Sequence, residues 1–159
     1  MSVIVRIATQ LDMPKVLELI QELAVFEKEP NAVEVTVDDL IRDGFGTQPV
    51  FNCFVGESNG EVVGMALVYK RYSTWKGVSL HLEDLIVASH FRGQGLGTLL
   101  LDEVVKYGKS LGVKRINWEV LDWNTPAIEF YEKKGANVMR DWDVVHLNES
   151  AIENYLSKL

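Results

Sequence analysis

Cysteine is almost missing: Cys53 is the single one in 159 residues, so no disulfide can close within the chain. That usage fits a reducing compartment, and a cytoplasmic location is expected. The three histidines, His81, His90 and His146, are scattered, with no Cys or His cluster at metal-ligand spacing. No metal site is expected. No stretch approaches the roughly 18 consecutive apolar residues of a membrane span. Met1 to Arg6 carry no apolar signal segment, so no membrane association is expected. Bases are outnumbered by acids, 16 to 23, for a net charge of −7. Nucleic-acid binding needs a basic surface and is excluded on that ground. An acidic surface attracts cationic substrates, and it also keeps a small protein in solution; both readings fit. No repeat, linker or low-complexity run divides the chain. Its length suits one domain with a proper core, residues 1–159.

The informative stretch is Leu82–Thr98, LEDLIVASHFRGQGLGT. An apolar strand-like run, Leu82 to Val87, holds Glu83 and Asp84. A short polar loop leads to Arg92-Gly93-Gln94-Gly95-Leu96-Gly97. Leu96, Leu99, Leu100, Val104 and Val105 then recur at helical spacing. Strand, glycine loop and helix follow in order. Alternating glycines let a ligand approach the backbone closely. N–H groups at a helix N-terminus favour an anion such as a phosphate or pyrophosphate. A Walker loop would end Gly-Lys-Ser/Thr, and this one ends Gly-Thr without a lysine. A dinucleotide fingerprint is closer, with Glu119 roughly 20 residues on as a ribose-binding acid. Against it, Thr98 replaces the third glycine, and five residues separate Val87 from Gly93. A helix start with flexible glycines and no ligand also fits.

Along the chain, Val3–Ile7 reads as a strand. Thr9 and Asp12 form a capping-box pattern before Met13, Val16, Leu17, Ile20, Leu23 and Ala24, an apolar helix face ended by Pro30. Thr36 and Asp39 open a short helix that stops at Gly44. Val50–Gly56 and Glu61–Tyr72 flank Ser58-Asn59-Gly60, a hairpin signal. Cys53 lies among Phe51, Phe54 and Val55 with no activating base, and reads as an inert buried thiol rather than an acyl-accepting nucleophile. Val78–Val87 is the next strand, with His81 two residues from Glu83 and so on its face. Helix 98–111 and strand Lys114–Leu121 follow. Thr125 is read as the cap of a helix with Pro126 at its first position and Gly135 at its end. Asn137–Arg140 and Val144–Leu147 read as short strands, and Glu149–Leu156 as a last helix. The mixture implies an α/β layered domain on a mostly antiparallel sheet with a parallel pair.

The glycine loop also resembles the acetyl-CoA pyrophosphate loop of the GNAT superfamily of N-acetyltransferases, and the resemblance runs nearly end to end. Within it the chain looks like the diamine (spermidine/spermine) acetyltransferase group, above all its thialysine N-epsilon-acetyltransferase branch. The matching residues are Glu22-Leu23-Ala24, Phe26-Glu27, Asp43-Gly44-Phe45-Gly46, Tyr72 to Gly77, Leu82-Glu83-Asp84, Val120 to Asn124, Phe130-Tyr131 and Gly135-Ala136. The resemblance implies the GNAT acyl-CoA N-acyltransferase fold, whose strands splay to receive the cofactor's pantetheine. It implies acetyl-CoA as co-substrate, no metal, a small-molecule amine as acceptor and a homodimer.

Acetyl transfer to an amine poses three problems. A lysine-like amine has a pKa of about 10.4 and must lose a proton before attack. By resemblance Glu83 is the base or water-relay anchor. Adjacent strand residues face opposite sides, so Glu83 and Asp84 are not expected to share a cleft. Asp84 reads as a substrate contact or a structural acceptor. The second problem is the oxyanion, which interrupted-ladder backbone N–H groups can hold. The resemblance puts this at Leu85–Val87, with Val87 also holding pantetheine. The third is the leaving thiolate, to which Tyr131 would give a proton; a merely packed tyrosine is the other reading. The resemblance further assigns Arg92, Gly93, Gln94, Gly95, Gly97, Thr98 and Lys134 to cofactor phosphates. Asn124 would bond the cofactor, and a turn or capping role also fits it. Glu27 and Trp75 are substrate-side candidates, the first also a solvated acid and the second also a core residue. Polyamine-specific relatives carry an acid where this chain has Ser73, which favours smaller amino-acid amines. A polyamine acetyltransferase and a non-catalytic coenzyme A-binding sensor or interaction module are the alternatives.

Overall fold

The computed structural model describes residues 3–159. It comprises two compact units, one running through Glu119 and the other Val120–Leu159. In the first, β1 (Val3–Ile7), β2 (Asn52–Ser58), β3 (Glu61–Ser73), β4 (Gly77–Val87) and β5 (Ile116–Asn117) form one sheet in sequential order. Its pairs are antiparallel except β4 with β5, which is parallel. The β2–β3 hairpin turns on Asn59 and Gly60, both at positive φ, which matches the strands' own twist.

Helices α1 (Met13–Phe26) and α2 (Val37–Phe45) begin where the capping-box pattern places them, at Thr9/Asp12 through an intervening 3-10 turn and at Thr36/Asp39. Arg6 fixes the first of these starts: its guanidinium bonds both Asp12 oxygens at 2.8 and 2.9 Å and Glu57 at 2.8 Å. Asp12 is held at about 2 by that guanidinium first, despite the opposing effect of burial. Met13, Val16 and Leu19 of α1 and Leu40 of α2 pack with Cys53, Val55, Met65, Leu67 and Ile86 of the sheet. Helix α3 (Leu96–Ser110) covers the other sheet face. A Cβ at Gly56 would lie 2.5 Å from Leu96, so the strand must carry glycine there for the helix to approach. Leu96, Leu100 and Val104 are fully buried, each contributing about 1.5–3 kcal/mol. The helix starts two residues before the expected Thr98, because Gly95 adopts a left-handed conformation and lets Leu96 turn directly into it.

The expected strand Lys114–Leu121 is cut to Ile116–Asn117. Only Leu80 and His81 of β4 have β5 partners, so β4 runs six residues further, to Val87, with no strand on its outer edge among the described residues. This is the opening between the parallel strands that the resemblance implied.

In the second unit, α4 (Thr125–Lys133) and α5 (Glu149–Leu156) are the regular elements. The cap of α4 is Asn124, not Thr125: its side chain accepts from Ala127 N at 3.4 Å. Neither Asn137–Arg140 nor Val144–Leu147 forms a strand; no ladder is available to them among the described residues, and Val144, Val145 and Leu147 stay exposed.

Candidate active site

The centre of the first unit is an irregularity in β4. Leu67 of β3 lies opposite Asp84, but the next residue, Val68, lies opposite Leu82. Glu83 is therefore an extra residue, a β-bulge, and the alternation of side chains shifts by one there. Tyr69 pairs with His81, and Tyr69 and Leu67 share a face, so His81 and Asp84 share it too although they are three apart. Glu83 joins them: its Oε2 accepts from Tyr69 Oη at 2.9 Å and lies 3.3 Å from His81 Nε2. The expectation that Glu83 and Asp84 face opposite sides is thus overturned, since regular alternation does not survive a bulge. The shared face is the one covered by α1.

Here α1 and the chain beyond it border a cleft of about 250 Å³, lined by Ile20, Leu23, Ala24, Glu27, Glu29, Ala32, Val33 and Asp84. Its walls are mostly apolar and its polar groups are all acids. Asp84 is pushed up to about 6, by burial first and then by the charges of Glu83 and Glu27. Glu27 reaches solvent at the end of α1, yet lost hydration raises it as well. Glu83 is lowered, chiefly by His81 and also by Tyr69, against the opposing effect of burial. A cleft holding carboxylates that ionise reluctantly is poised for a cation, which relieves their mutual repulsion.

The bulge also sets the backbone. The β3 partners of Leu80, Leu82, Leu85 and Val87 are Lys70, Val68, Ala66 and Gly64, alternate residues throughout. Leu80 N donates outward to Arg115 O at 3.1 Å, so Leu85 and Val87 also turn their backbone groups to the outer edge, where β5 has ended. Val87 O accepts from Arg92 Nε at 3.0 Å. Arg92 is turned back toward the sheet, 3.7 Å from Glu22 Oε1 and 5.5 Å over the Phe26 ring, and Glu22 also accepts from Ser89 N.

Gly93 and Gly95 have φ of 77° and 84°, and a Cβ on either would meet nothing within 4 Å. The space over the loop is open, and α3 starts without a side-chain cap. Its first N–H groups, from Leu96 and Gly97, precede any i−4 carbonyl of the helix. Gln94 is exposed, and Thr98 N is taken by Gly95 O at 3.1 Å. An uncapped helix start under open space fits a pyrophosphate.

Other candidates take structural places. Ser73 is buried, and its Oγ accepts from Trp75 N and Lys76 N at 3.2 Å each, which shapes the β3–β4 turn. Trp75 is 77% exposed and so is not core. Cys53 is buried and its thiol pushed up to about 12 by burial, which removes it as a nucleophile. In the second unit Tyr131 stands on α4, half-buried and raised by that burial, its ring against Phe130. Lys134 Nζ lies 6.0 Å over the Phe130 ring, and Asn124 spends its carbonyl oxygen on the helix cap. Among the described residues, no three His, Cys, Asp or Glu side chains gather as a metal site, and no helix is long and apolar enough to cross a membrane. Sequence reasoning missed Tyr69 and Asn117 as partners of this cluster; Asn117 Nδ2 lies 2.7 Å from His81 Nδ1. Tyr69 lies fourteen residues from Glu83 across a hairpin, and only the register of that hairpin could have revealed it.

Residues 14–136 match the acetyltransferase (GNAT) family. The chain is 37% identical over 152 residues to a thialysine N-epsilon-acetyltransferase of Bos taurus, covering 91% of this chain and 89% of that protein. It is 39% identical over 140 residues to the Mus musculus protein of the same name, covering 83% and 82%. An L-ornithine N5-acetyltransferase of Arabidopsis thaliana is 27% identical, covering 94% and 86%. Among solved structures, an integron cassette protein of V. cholerae superposes with a TM-score of 0.80 at 21% identity, covering 100% of this chain and 99% of that one. An aminoglycoside N-acetyltransferase in complex with CoA superposes with a TM-score of 0.73 at 16% identity, covering 91% and 94%.

Proposed function

The chain belongs to the acetyltransferase (GNAT) family and is an amine N-acetyltransferase, and from that premise we propose the acceptor and the residues that act on it. The acceptor is the primary amine of a small lysine-like amino acid, of the thialysine type, or of a diamine. The observation that carries this reading is the β4 bulge, which turns Glu83 and Asp84 to one face, where Asp84 joins Glu27 and Glu29 in lining an apolar-walled cleft. An alkyl amine suits such a cleft: its chain lies on Ile20, Leu23 and Ala24, and its ammonium meets Glu27 and Asp84. Trp75, exposed at the β3–β4 turn, is kept as a substrate-side candidate on its free indole face alone.

Acetyl-CoA supplies an activated acetyl thioester. Gly93, Gln94, Gly95, Gly97 and Thr98 would hold its pyrophosphate, with Arg92, Asn124 and Lys134 as further contacts. The open space at Gly93 and Gly95 and the uncapped helix start support that fit. The outward backbone of Leu85 and Val87 would hold pantetheine and the developing oxyanion. Glu83 takes the amine's proton directly or through water, and Tyr131, kept protonated by burial, gives a proton to the departing sulfur. Attack is direct, in a ternary complex; the inert thiol of Cys53 supports the absence of an acyl-enzyme. The chain is read as one N-acetyltransferase domain, supported by a family match that runs past Glu119. A homodimer is proposed on the exposed apolar residues Val144, Val145 and Leu147, and a cytoplasmic location on the cysteine usage.

The test is thiol release from acetyl-CoA with thialysine, lysine, ornithine, putrescine, spermidine and spermine. Turnover with a lysine-like amine supports the reading. Preference for spermidine keeps the chemistry and moves the specificity to polyamines. Tight acetyl-CoA binding with no release for any amine favours a non-catalytic coenzyme A-binding module. A sedimentation profile of monomer alone removes the dimer.

A further inference from the structure

His81 belongs to no role assigned above, yet it is one of few buried polar side chains, 5% exposed in the middle of β4. Both its ring nitrogens are engaged. Nδ1 lies 2.7 Å from Asn117 Nδ2 on β5, and Nε2 lies 3.3 Å from Glu83 Oε2. The Tyr69 ring packs on the imidazole at 5.0 Å between centroids, and its hydroxyl donates to the same Oε2. Two groups therefore converge on one carboxylate oxygen, and Oε1 accepts from no described group.

The tautomer follows from the neighbours. As placed, Asn117 donates its N–H to Nδ1, which must then be the unprotonated nitrogen, and Nε2 carries the hydrogen toward Glu83. Rotating the amide would put Oδ1, buried without a partner, against Nδ1 and require a proton there. Nε2 would still need its hydrogen, because a bare lone pair at 3.3 Å from a carboxylate is repulsive. Both amide orientations lead to a donor at Nε2.

We propose that His81, oriented by Asn117, is a positioning residue for Glu83: with Tyr69 it secures Oε2 and leaves Oε1 as the atom that receives the amine's proton or its relay water. The inference rests on the reading of Glu83 as proton acceptor. His81 of β4 and Tyr69 of β3 face the Glu83 carboxylate, which acts in turn on Asp84 of β4; Glu27, just past α1, acts on Asp84 as well, and Arg71 of β3 and Glu119 beyond β5 act on Tyr69. His81 is the group of this set that both touches the carboxylate and is tethered to a second strand. The readier ionisation of Glu83, whose pKa His81 lowers first and Tyr69 next, agrees with a donor there.

The acid limb of the kcat/KM profile reads the proposal. Removing the Nε2 donor in His81→Phe should move that limb upward by about half to one pH unit and lower kcat. His81→Gln, which restores an N–H donor, should return the limb toward the original. Asn117→Leu should give part of the shift without touching Glu83. ¹⁵N chemical shifts of the His81 ring in the unaltered protein should show Nε2 protonated. An unprotonated Nε2, or a His81→Phe enzyme that folds and keeps both limb and kcat, would overturn the proposal. If His81→Phe fails to fold, Asn117→Leu and the ring shifts decide alone. Glu83→Gln separates the two levels. If it leaves turnover intact, the acceptor reading itself fails. If it slows turnover while the His81 and Asn117 variants change nothing, only the positioning role fails.

Discussion

Asp84→Asn should make the protein more stable and a worse enzyme. Asp84 is largely enclosed, and burial, then Glu83 and Glu27, push its carboxyl from 3.8 to about 6. The folded state thus holds this proton more tightly than the unfolded chain. Stability is gained when the proton is on and is lost as the pH rises from about 4 to about 6, remaining lower above that window. At 1.36 kcal/mol per unit the displacement amounts to about 3 kcal/mol. Partial solvent access reduces this, so a gain of about 1–3 kcal/mol is expected for Asp84→Asn near neutral pH. An asparagine has nearly the same shape and no charge to ionise. Urea unfolding at about pH 8, 6 and 4 checks both size and sign. The advantage should be largest at the highest pH and fade toward pH 4, where the wild-type carboxyl is already protonated in the folded protein and is becoming so in the unfolded chain. The same variant should raise KM for a lysine-like amine at least about tenfold, because a charge-assisted contact of about 1.5–3 kcal/mol is lost. An asparagine variant that is no more stable at pH 8, or an advantage that does not change with pH, would refute the electrostatic account of the cleft.

Arg6→Met should destabilise the protein by about 1–2 kcal/mol near neutrality, since it strips the partner that holds Asp12 at about 2. Asp12 contributes stability above its unfolded value of 3.8, and acid titration of unfolding should show the wild-type advantage fading as the pH falls toward 2. Gly95→Ala should cost about 1 kcal/mol of stability through its left-handed φ of 84°. Its larger effect should be weaker acetyl-CoA binding by calorimetry, because the added methyl occupies the open space over the loop; unchanged affinity would dismiss the loop as an anion site. Tyr131→Phe should lower turnover about 10²–10⁴-fold while coenzyme A affinity stays within a few-fold, and full activity in steady-state assays would remove the general-acid role.

Much of this architecture was readable because its signals are local. Thr9 with Asp12 and Thr36 with Asp39 satisfy orphan N–H groups within a turn, so the residues that start a helix name its start. Asn59-Gly60 supplies the positive φ that its hairpin needs. The errors fall where the deciding partner is distant or missing. Lys114–Leu121 alternates like a strand, but a strand needs a neighbour, and β4 offers one only as far as His81. Asn137–Arg140 and Val144–Leu147 likewise carry strand-forming residues with no ladder to join. Asn124 displaced Thr125 as a cap, a one-residue question that composition cannot resolve. Within the site, Glu83 and Asp84 were legible as the acids of interest, but their common orientation was not. A bulge is a property of two strands in register, and neither strand announces it alone.

The extra residue at Glu83 acts as a phase setter for the whole second half of β4. Upstream and downstream of it, the strand keeps the same period but is offset by one place. That single offset determines both which acids look into the cleft and which amides look out of the sheet at Leu85 and Val87. Deleting the extra residue would leave Leu82 opposite Val68 and Asp84 opposite Leu67 in a regular ladder, so both rows would stand and only the Glu83 carboxylate would be lost. The row of acids and the row of outward amides are therefore locked to one another by the register of β4 on β3.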